Sequence, residues 1–390
     1  MRKRKVKVLH VIPGLRLGGT ETMLYKLLQN TERSSISPTV ISLKGRGVCG
    51  DKIERLEIPL VVAGMKGKIP GLHTMIQLWK VTRELQPDII QGWMYHGNIA
   101  ATVLSFFLSK KTPVIWNIRH SLDSLEKERR LTKWSIHLNQ KWSGHPKVVL
   151  FNSMTSLEQH VKFGFTKNNV RWIPNGFNTE KFTPRPDLRD EMRKRLGFSE
   201  RHVVLGIVAR YHEVKDHDNF LRAGAILIGN NPDIRLFLVG SGLDESNIAL
   251  NKLIHELGIE NNVVLLGGQD KIETLLCALD VMVLSSYSEA FPNVIGEAMS
   301  ATVPCVATDV GDVRRIIGKS GVVVPARSPE KLADGINKII KMPSQARARL
   351  SEQARAQIVK NFSMKTIAKQ YNDIYQNIFL DSMLETGRDL

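Results

Sequence analysis

The chain has 390 residues, 42 % of them apolar and 24 % charged, with a formal net charge of +17. That length is too great for one ordinary core and suits two domains of under about 200 residues each, and the composition is that of a soluble globular protein. Three scattered cysteines (Cys49, Cys277, Cys305), with no CxxC pair and no His at ligand spacing, argue against a disulfide framework or a zinc site and fit a reducing compartment.

Met1-Arg-Lys-Arg-Lys5 could open a signal peptide, but residues 6–13 are too short and too interrupted for its apolar core, and they predict a first strand instead. Gly18-Gly19-Thr20-Glu21 follows and opens a helix through 22–28. Glycines there let the backbone approach a ligand, and helix-start N–H groups favour an anion. The spacing Gly14-x3-Gly18-Gly19 is not the GxGxxG of a dinucleotide site, and no Lys-Ser/Thr follows to make a nucleotide-triphosphate loop. Strands are expected at 39–43, 89–91, 114–117 and 148–152, separated by helical stretches such as 72–85, which means a parallel, doubly wound sheet. Two of these strands end in Trp93-Met-Tyr-His96 and Trp116-Asn-Ile-Arg-His120. The longest apolar stretch, 99–108, falls well short of the ~20 residues a membrane-spanning helix needs. Between Glu126 and Trp142, Leu131, Trp134, Leu138 and Trp142 recur at roughly helical spacing among Lys127, Arg129, Arg130, Lys133 and Lys141. That pattern fits a basic amphipathic helix lying on a surface, or equally a helix covering the sheet.

A Pro-, Asn- and Gly-rich stretch, 173–186, reads as an interdomain connection. Beyond it the strand pattern restarts at 203–208, 236–239, 263–266, 281–284, 303–308 and 321–324, and the chain is helical from Lys331 onward. Arg210 and Lys215 follow the first of these strands. Two cations at a strand's carboxyl end can bind a diphosphate and stabilise its charge as it leaves. Gly240-Ser-Gly242 makes a further turn at the same edge, and Gly267-Gly268-Gln269-Asp270 could surround a base. The most informative segment is Glu289-Ala-Phe-Pro-Asn-Val-Ile-Gly-Glu297, where an apolar strand meets a helix. Pro292 suits the helix start. Glu289 is expected in the loop outside the strand's carboxyl end, where open α/β sheets bind ligands, and Glu297 one turn past Asn293, able to reach the same crevice. Two such carboxylates can accept hydrogen bonds from several hydroxyls.

Taken together these residues resemble the E-x7-E element, the GGxE turn, the PNG element at Asn175-Gly176 and the G-R-x4-K element of the retaining, nucleotide-sugar-dependent glycosyltransferases of family four. The resemblance implies a GT-B architecture: α/β, two Rossmann-like domains facing a cleft, here 1–180 and 187–361, with a terminal helix from 362 crossing back to the first. It implies a nucleotide-sugar donor, most naturally UDP-linked, with Glu297 on the ribose and Glu289 on the donor sugar. Arg210 and Lys215 clamp the diphosphate, and Gly18, Gly19, Gly240, Phe291, Asn293 and Val294 line the donor site. His120 resembles the histidine beside the transferred sugar, and Trp93 and His96 are candidates for the acceptor pocket. No metal or other cofactor is expected, because the two cations supply the charge and no Asp-x-Asp tripeptide is read as a metal holder. The chain departs from the family at Ala209, Thr302 and Gly311-Asp312. Thr302 stands where the family has glycine and is strained if that position needs a positive φ.

The charge is uneven, +18 in residues 1–200 and −1 in the remainder. A field of that sign attracts anionic lipid, nucleic acid or acidic substrates. The favoured expectation is a cytoplasmic enzyme, peripheral on the inner face of a membrane and working on a lipid-linked glycan or polysaccharide precursor. A sugar-nucleotide epimerase of the same fold, and a basic nucleic-acid-binding protein, are the alternatives. The second lacks an RNA-binding aromatic signature, a zinc finger or a basic helix array.

Overall fold

The apolar runs become parallel strands in two separate sheets of a computed structural model, which describes residues 4–65, 72–108, 111–122, 125–127 and 129–386. The first sheet holds β1 (Val6–Ile12), β2 (Ile36–Ser42), β3 (Leu60–Val62), β4 (Ile89–Trp93), β5 (Val114–Ile118), β6 (Val148–Phe151) and β7 (Val170–Trp172), in the order β3-β2-β1-β4-β5-β6-β7. The second holds β8 (Val203–Val208), β9 (Ile234–Val239), β10 (Val263–Leu265), β11 (Val281–Leu284), β12 (Cys305–Thr308) and β13 (Val322–Val324), in the order β10-β9-β8-β11-β12-β13. Strand order reverses beside β1 in one sheet and beside β8 in the other. Such reversals open a crevice at the carboxyl ends of the neighbouring strands.

The chain divides into two compact units, Met1–Gly176 with Met364–Leu390, and Phe177–Ser363. The terminal helix Met364–Thr386 therefore counts with the first unit, after a break at Ser363, whose backbone is extended. In the first unit the period of two along β1 sends Val8 and Ile12 to one face, where they pack with Leu24, Leu27, Ile89, Trp93, Ile367 and Tyr371. Leu9 and Val11 go to the other, with Ile90, Trp116, Ala101 and Ile136. The second unit buries Leu205, Ile207, Phe220, Leu236, Val281, Val283, Val306 and Ile336 in one core.

Sequence and structure differ in instructive places. β3 and β7, three residues each at the sheet's edges, were not expected: β7 (Val-Arg-Trp) leaves no apolar run, and β3 lies in the short run 58–63 that Pro59 interrupts. β12 begins at Cys305 rather than 303 because Pro304 has no N–H for the ladder, although its carbonyl still accepts from Met282. Pro292 sits one place before the helix Asn293–Ser300, at its N-cap. Thr302 does adopt φ +59°, so the strain raised by its sequence is present in the backbone.

Candidate functional site

In the second unit, three loops at the carboxyl edge are laced together by backbone bonds. Ala209 N–H donates to Val239, Tyr211 N–H to the carbonyl of Ser241, and Gly240 N–H to that of Gly267, at 2.9, 2.8 and 2.8 Å. Gly240 has φ +153°, and a Cβ there would press into the Ala209 carbonyl, so loop packing alone already demands glycine. The arrangement brings Arg210 out at the edge, where its side chain is exposed and makes no hydrogen bond or ion pair among the described residues.

Lys215 behaves differently. The turn Glu213–Lys215 bends it back to the loop after β11, where its Nζ lies 2.5 Å from Glu289 Oε1. Ser286 Oγ donates to the same oxygen at 2.8 Å. The two charged side chains are only 21 % and 13 % exposed, which lifts this pair out of the class of solvent-screened surface bridges. Gly311 explains how the Glu289 loop is seated. Its φ is +51°, a Cβ would meet the carbonyls of Glu289 and Ala290, and the next N–H, of Asp312, donates to Ala290.

The helix Asn293–Ser300 buries Ile295, Gly296, Ala298, Met299 and Ser300 and leaves Asn293, Val294 and Glu297 half-buried on its other face. Spacing of four residues puts Asn293 and Glu297 on one side of the helix, with Val294 at its margin. Phe291, expected in the donor site, keeps its ring in the core. Its ring is 6 % exposed and stacks on Phe177 at 6.0 Å, so only its backbone is available to a ligand.

In the first unit, Gly18 is the N-cap of the helix Gly19–Asn30, and a Cβ on Gly19 would meet nothing within 4 Å. Nothing in the fold therefore requires glycine at 19. Trp93 is corrected as an acceptor contact. It is fully buried, donates from Nε1 to His10 Nδ1 at 3.2 Å, and stacks on Tyr371. It occupies the last position of β4, on the core face, whereas His96, on the helix Met94–Phe106, is exposed. Desolvation, and secondarily the charge of Lys44, holds the pKa of His96 below the usual value.

His120 follows β5, half-buried, with Nδ1 3.4 Å from Tyr95 Oη. Tyr95 Oη is 2.7 Å from His160 Nε2, and His160 Nδ1 is 2.7 Å from the Ser156 carbonyl. The carbonyl can only accept, so His160 carries its proton on Nδ1 and Nε2 accepts from Tyr95. Burial lowers the His160 pKa to about 4, in keeping with that neutral ring. Tyr95, His160 and Ser286 were not singled out from the sequence. The one available signal was the polar pair Ser285-Ser286 directly after a fully apolar strand.

Asp216-His217-Asp218 does spell Asp-x-Asp, but both carboxylates have local work. Asp216 caps the helix His217–Asn230 through the N–H of Asn219, and Asp218 pairs with Arg222 at 2.9 Å. Among the described residues no group of three His, Cys, Asp or Glu is placed to hold a metal ion, and no helix is long and apolar enough to cross a membrane.

Comparison with known proteins gives two family matches, to "Glycosyltransferase Family 4" over residues 17–181 and to "Glycosyl transferases group 1" over 189–357. A D-inositol 3-phosphate glycosyltransferase of Corynebacterium urealyticum is 32 % identical over 297 residues, covering 70 % of this chain and 69 % of that one. An N-acetyl-alpha-D-glucosaminyl L-malate synthase of Bacillus anthracis is 31 % identical over 193 residues, 49 % of this chain, which thus spans half of that relative. Among solved structures, Anabaena Alr3699/HepE in complex with UDP superposes with a TM-score of 0.83 at 23 % identity, covering 95 % of this chain and all of that one. WaaG, a glycosyltransferase involved in lipopolysaccharide biosynthesis, gives 0.69 at 18 % identity, over 95 % and 99 % of the two chains.

Proposed function

This chain belongs to the glycosyltransferases of group 1 and family 4, with the GT-B fold, and from that premise we propose that it moves a sugar from a UDP-linked donor to an acceptor hydroxyl with retention of anomeric configuration. The observation that carries the reading is the meeting of Lys215, Glu289 and Ser286 at the carboxyl ends of β8 and β11, with an unpartnered Arg210 on the same loop as Lys215. Arg210 and the remaining N–H bonds of Lys215 neutralise the diphosphate as the bond from the anomeric carbon to phosphate oxygen breaks. The acceptor oxygen bonds to that carbon on the face the diphosphate leaves, and its proton passes to a phosphate oxygen. Glu289 accepts from donor-sugar hydroxyls and Glu297 from the ribose. Gly18 and Gly19 bring backbone N–H groups to the donor, and His120 and His96 stand on the acceptor side of the reaction. UDP is favoured because neighbours of this fold are seen with UDP and with UDP-glucose. The two cations carry the charge neutralisation, so the reaction needs no metal. Incubation with a panel of nucleotide sugars and lipid-diphosphate acceptors, with the product anomer read by NMR and EDTA present in parallel, tests this. An inverted product, or loss of turnover with EDTA, overturns the retaining or the metal-free part respectively.

The acceptor we assign is a lipid-linked glycan or polysaccharide precursor, met by a cytoplasmic enzyme held on the inner face of a membrane. Support comes from the helix Arg130–Trp142. Its buried residues are Ser135, Ile136 and Asn139; of the apolar stripe, Trp134 is 58 % exposed, Leu131 and Leu138 are half-buried, and Trp142 packs against the core of the sheet. An exposed indole among Arg129, Arg130, Lys133 and Lys141 suits an anionic interface. Flotation with anionic liposomes should show binding at low salt that weakens at high salt; no binding at either defeats the membrane assignment.

A further inference from the structure

The geometry points to Ser286 as a positioning residue that decides which oxygen of Glu289 meets the donor sugar, an inference that rests on the function proposed above. Both oxygens of a carboxylate can accept, and together they offer about four lone-pair positions. Here the use is one-sided. Oε1 accepts from Lys215 Nζ and from Ser286 Oγ, whereas Oε2 has no hydrogen-bond partner among the described residues and is not sealed from solvent. Oε2 is thus the oxygen left with two open positions, enough for two neighbouring hydroxyls of a sugar ring.

Lys215 alone cannot fix this choice. An ammonium is a compact charge on a flexible stem and pairs with either oxygen about equally well. A serine hydroxyl on a buried backbone can fix it, because its reach is one bond. Ser286 is 1 % exposed, and the fold holds it from below: Thr308 Oγ1, at the end of β12, donates to the Ser286 carbonyl at 2.5 Å and to that of Leu284 at 3.3 Å. Ser285, fully buried, donates from Oγ to the carbonyl of Lys215 at 2.8 Å. Two adjacent serines at the end of β11 therefore hold the two members of the ion pair, one by its side chain and the other by its backbone. Thr308, on the neighbouring strand, anchors the serines themselves.

The test uses the full chain with the donor that turns over in the nucleotide-sugar panel, beginning with UDP-glucose, and free UDP as the binding probe. Ser286→Ala should lower kcat by about tenfold to a hundredfold, the size of losing one hydrogen bond to a charged group. The affinity for UDP and the melting temperature should stay near wild type. Donors lacking one ring hydroxyl should lose less in Ser286→Ala than in wild type for the hydroxyls that Oε2 receives. Ser286→Cys, close in volume and a weak donor, should fall between, and it replaces the alanine variant if that does not fold. Thr308→Val should act in the same direction more weakly. If Glu289→Gln is crippled while folded Ser286→Ala turns over like wild type, or if its loss appears only as lower melting temperature, the positioning role is wrong and the proposed function stands. If Glu289→Gln turns over normally, the proposed function itself fails.

Discussion

The carboxyl edges of the two sheets are built from the same βα units and yet are organised in opposite ways. At the edge of the second sheet, two of the residues picked out by chemistry, Lys215 and Glu289, are bonded to one another. Lys215, Glu289 and Ser286 share one carboxylate oxygen, and three loops are cross-tied beneath them. At the edge of the first sheet the corresponding residues are apart in kind as well as in partner. Trp93 has been absorbed by the core, His120 stands at the end of a hydrogen-bonded chain through Tyr95 to His160, His96 is exposed, and Gly19 borders open space. A site that must stabilise developing charge gains from dipoles and charges fixed before substrate arrives. A surface that must only receive a varied acceptor gains nothing from such fixing.

That contrast predicts a steep order of effects. The largest losses should come from the second edge. Lys215→Ala removes a diphosphate contact and also frees Glu289, so it should lower kcat by ~10²–10³ and somewhat more than Arg210→Ala, which removes an unpartnered cation. Because part of what Lys215 does is to hold Glu289, Lys215→Ala combined with Glu289→Gln should cost less than the product of the single losses. Steady-state kinetics of the three variants decide this, and simple multiplicativity would show that the ion pair is not a working unit.

Two glycines sharpen the comparison at intermediate size. Gly311→Ala places a Cβ against the carbonyls of Glu289 and Ala290 at φ +51°, so it should destabilise by ~1–3 kcal/mol and lower kcat along with it. Gly19→Ala meets no atom, so the melting temperature should not move. A several-fold rise in donor KM would then report a ligand lying over the helix start; an unchanged KM would remove Gly18 and Gly19 from the donor site.

How much of this was legible follows the same division. The strands β1, β8 and β11 were readable to the residue: β8 and β11 are short apolar runs, β1 is an apolar stretch broken only by Lys7 and His10, and each is followed by a Pro or polar residue within two positions. The charged pairs of the second edge stood at fixed distances from those runs. Glu289, Glu297, Arg210 and Lys215 could be placed because position relative to a strand end is a one-dimensional property. Trp93 could not. Whether a strand's last side chain faces the core or the edge depends on register and on what covers it, and here Tyr371, 278 positions away in sequence, supplies the cover. The burial of the Phe291 ring was hidden for the same reason, since Phe177 and Phe362 close over it from distant segments. Ser286 escaped notice because a hydroxyl has no spacing rule of its own; its partner identifies it.

Trp93→Phe offers a modest test of the first edge. Loss of the indole donor leaves His10 Nδ1 without that partner and opens a small void, together about 2 kcal/mol of stability. Acceptor KM should not change, and a change would return Trp93 to the acceptor pocket.

A pH effect on stability, with no change in turnover at neutral pH, also separates the two units. Burial lowers the pKa of His10 to about 3 and of His160 to about 4, both in the first unit, and of His217 to about 4 in the second. Each ring is neutral when folded and regains a pKa near 6.5 when unfolded. Below that value the unfolded chain binds more protons, so stability is full above pH 6.5 and falls as pH drops toward the folded values. The slope approaches ~1.4 kcal/mol per pH unit for each such ring. His96 in the first unit and His202 in the second are also held below the usual value, so amide exchange at pH 7.5 and 5.5, corrected for the intrinsic rate, should show protection falling in both units and further in β1, β4 and β6 than in β8, β9 and β11. An equal fall would mean that the two units open together and share these protons. No fall in either would mean that the rings are not held neutral. The relay through Tyr95 would then lose the acceptor at His160 Nε2 that gives it direction.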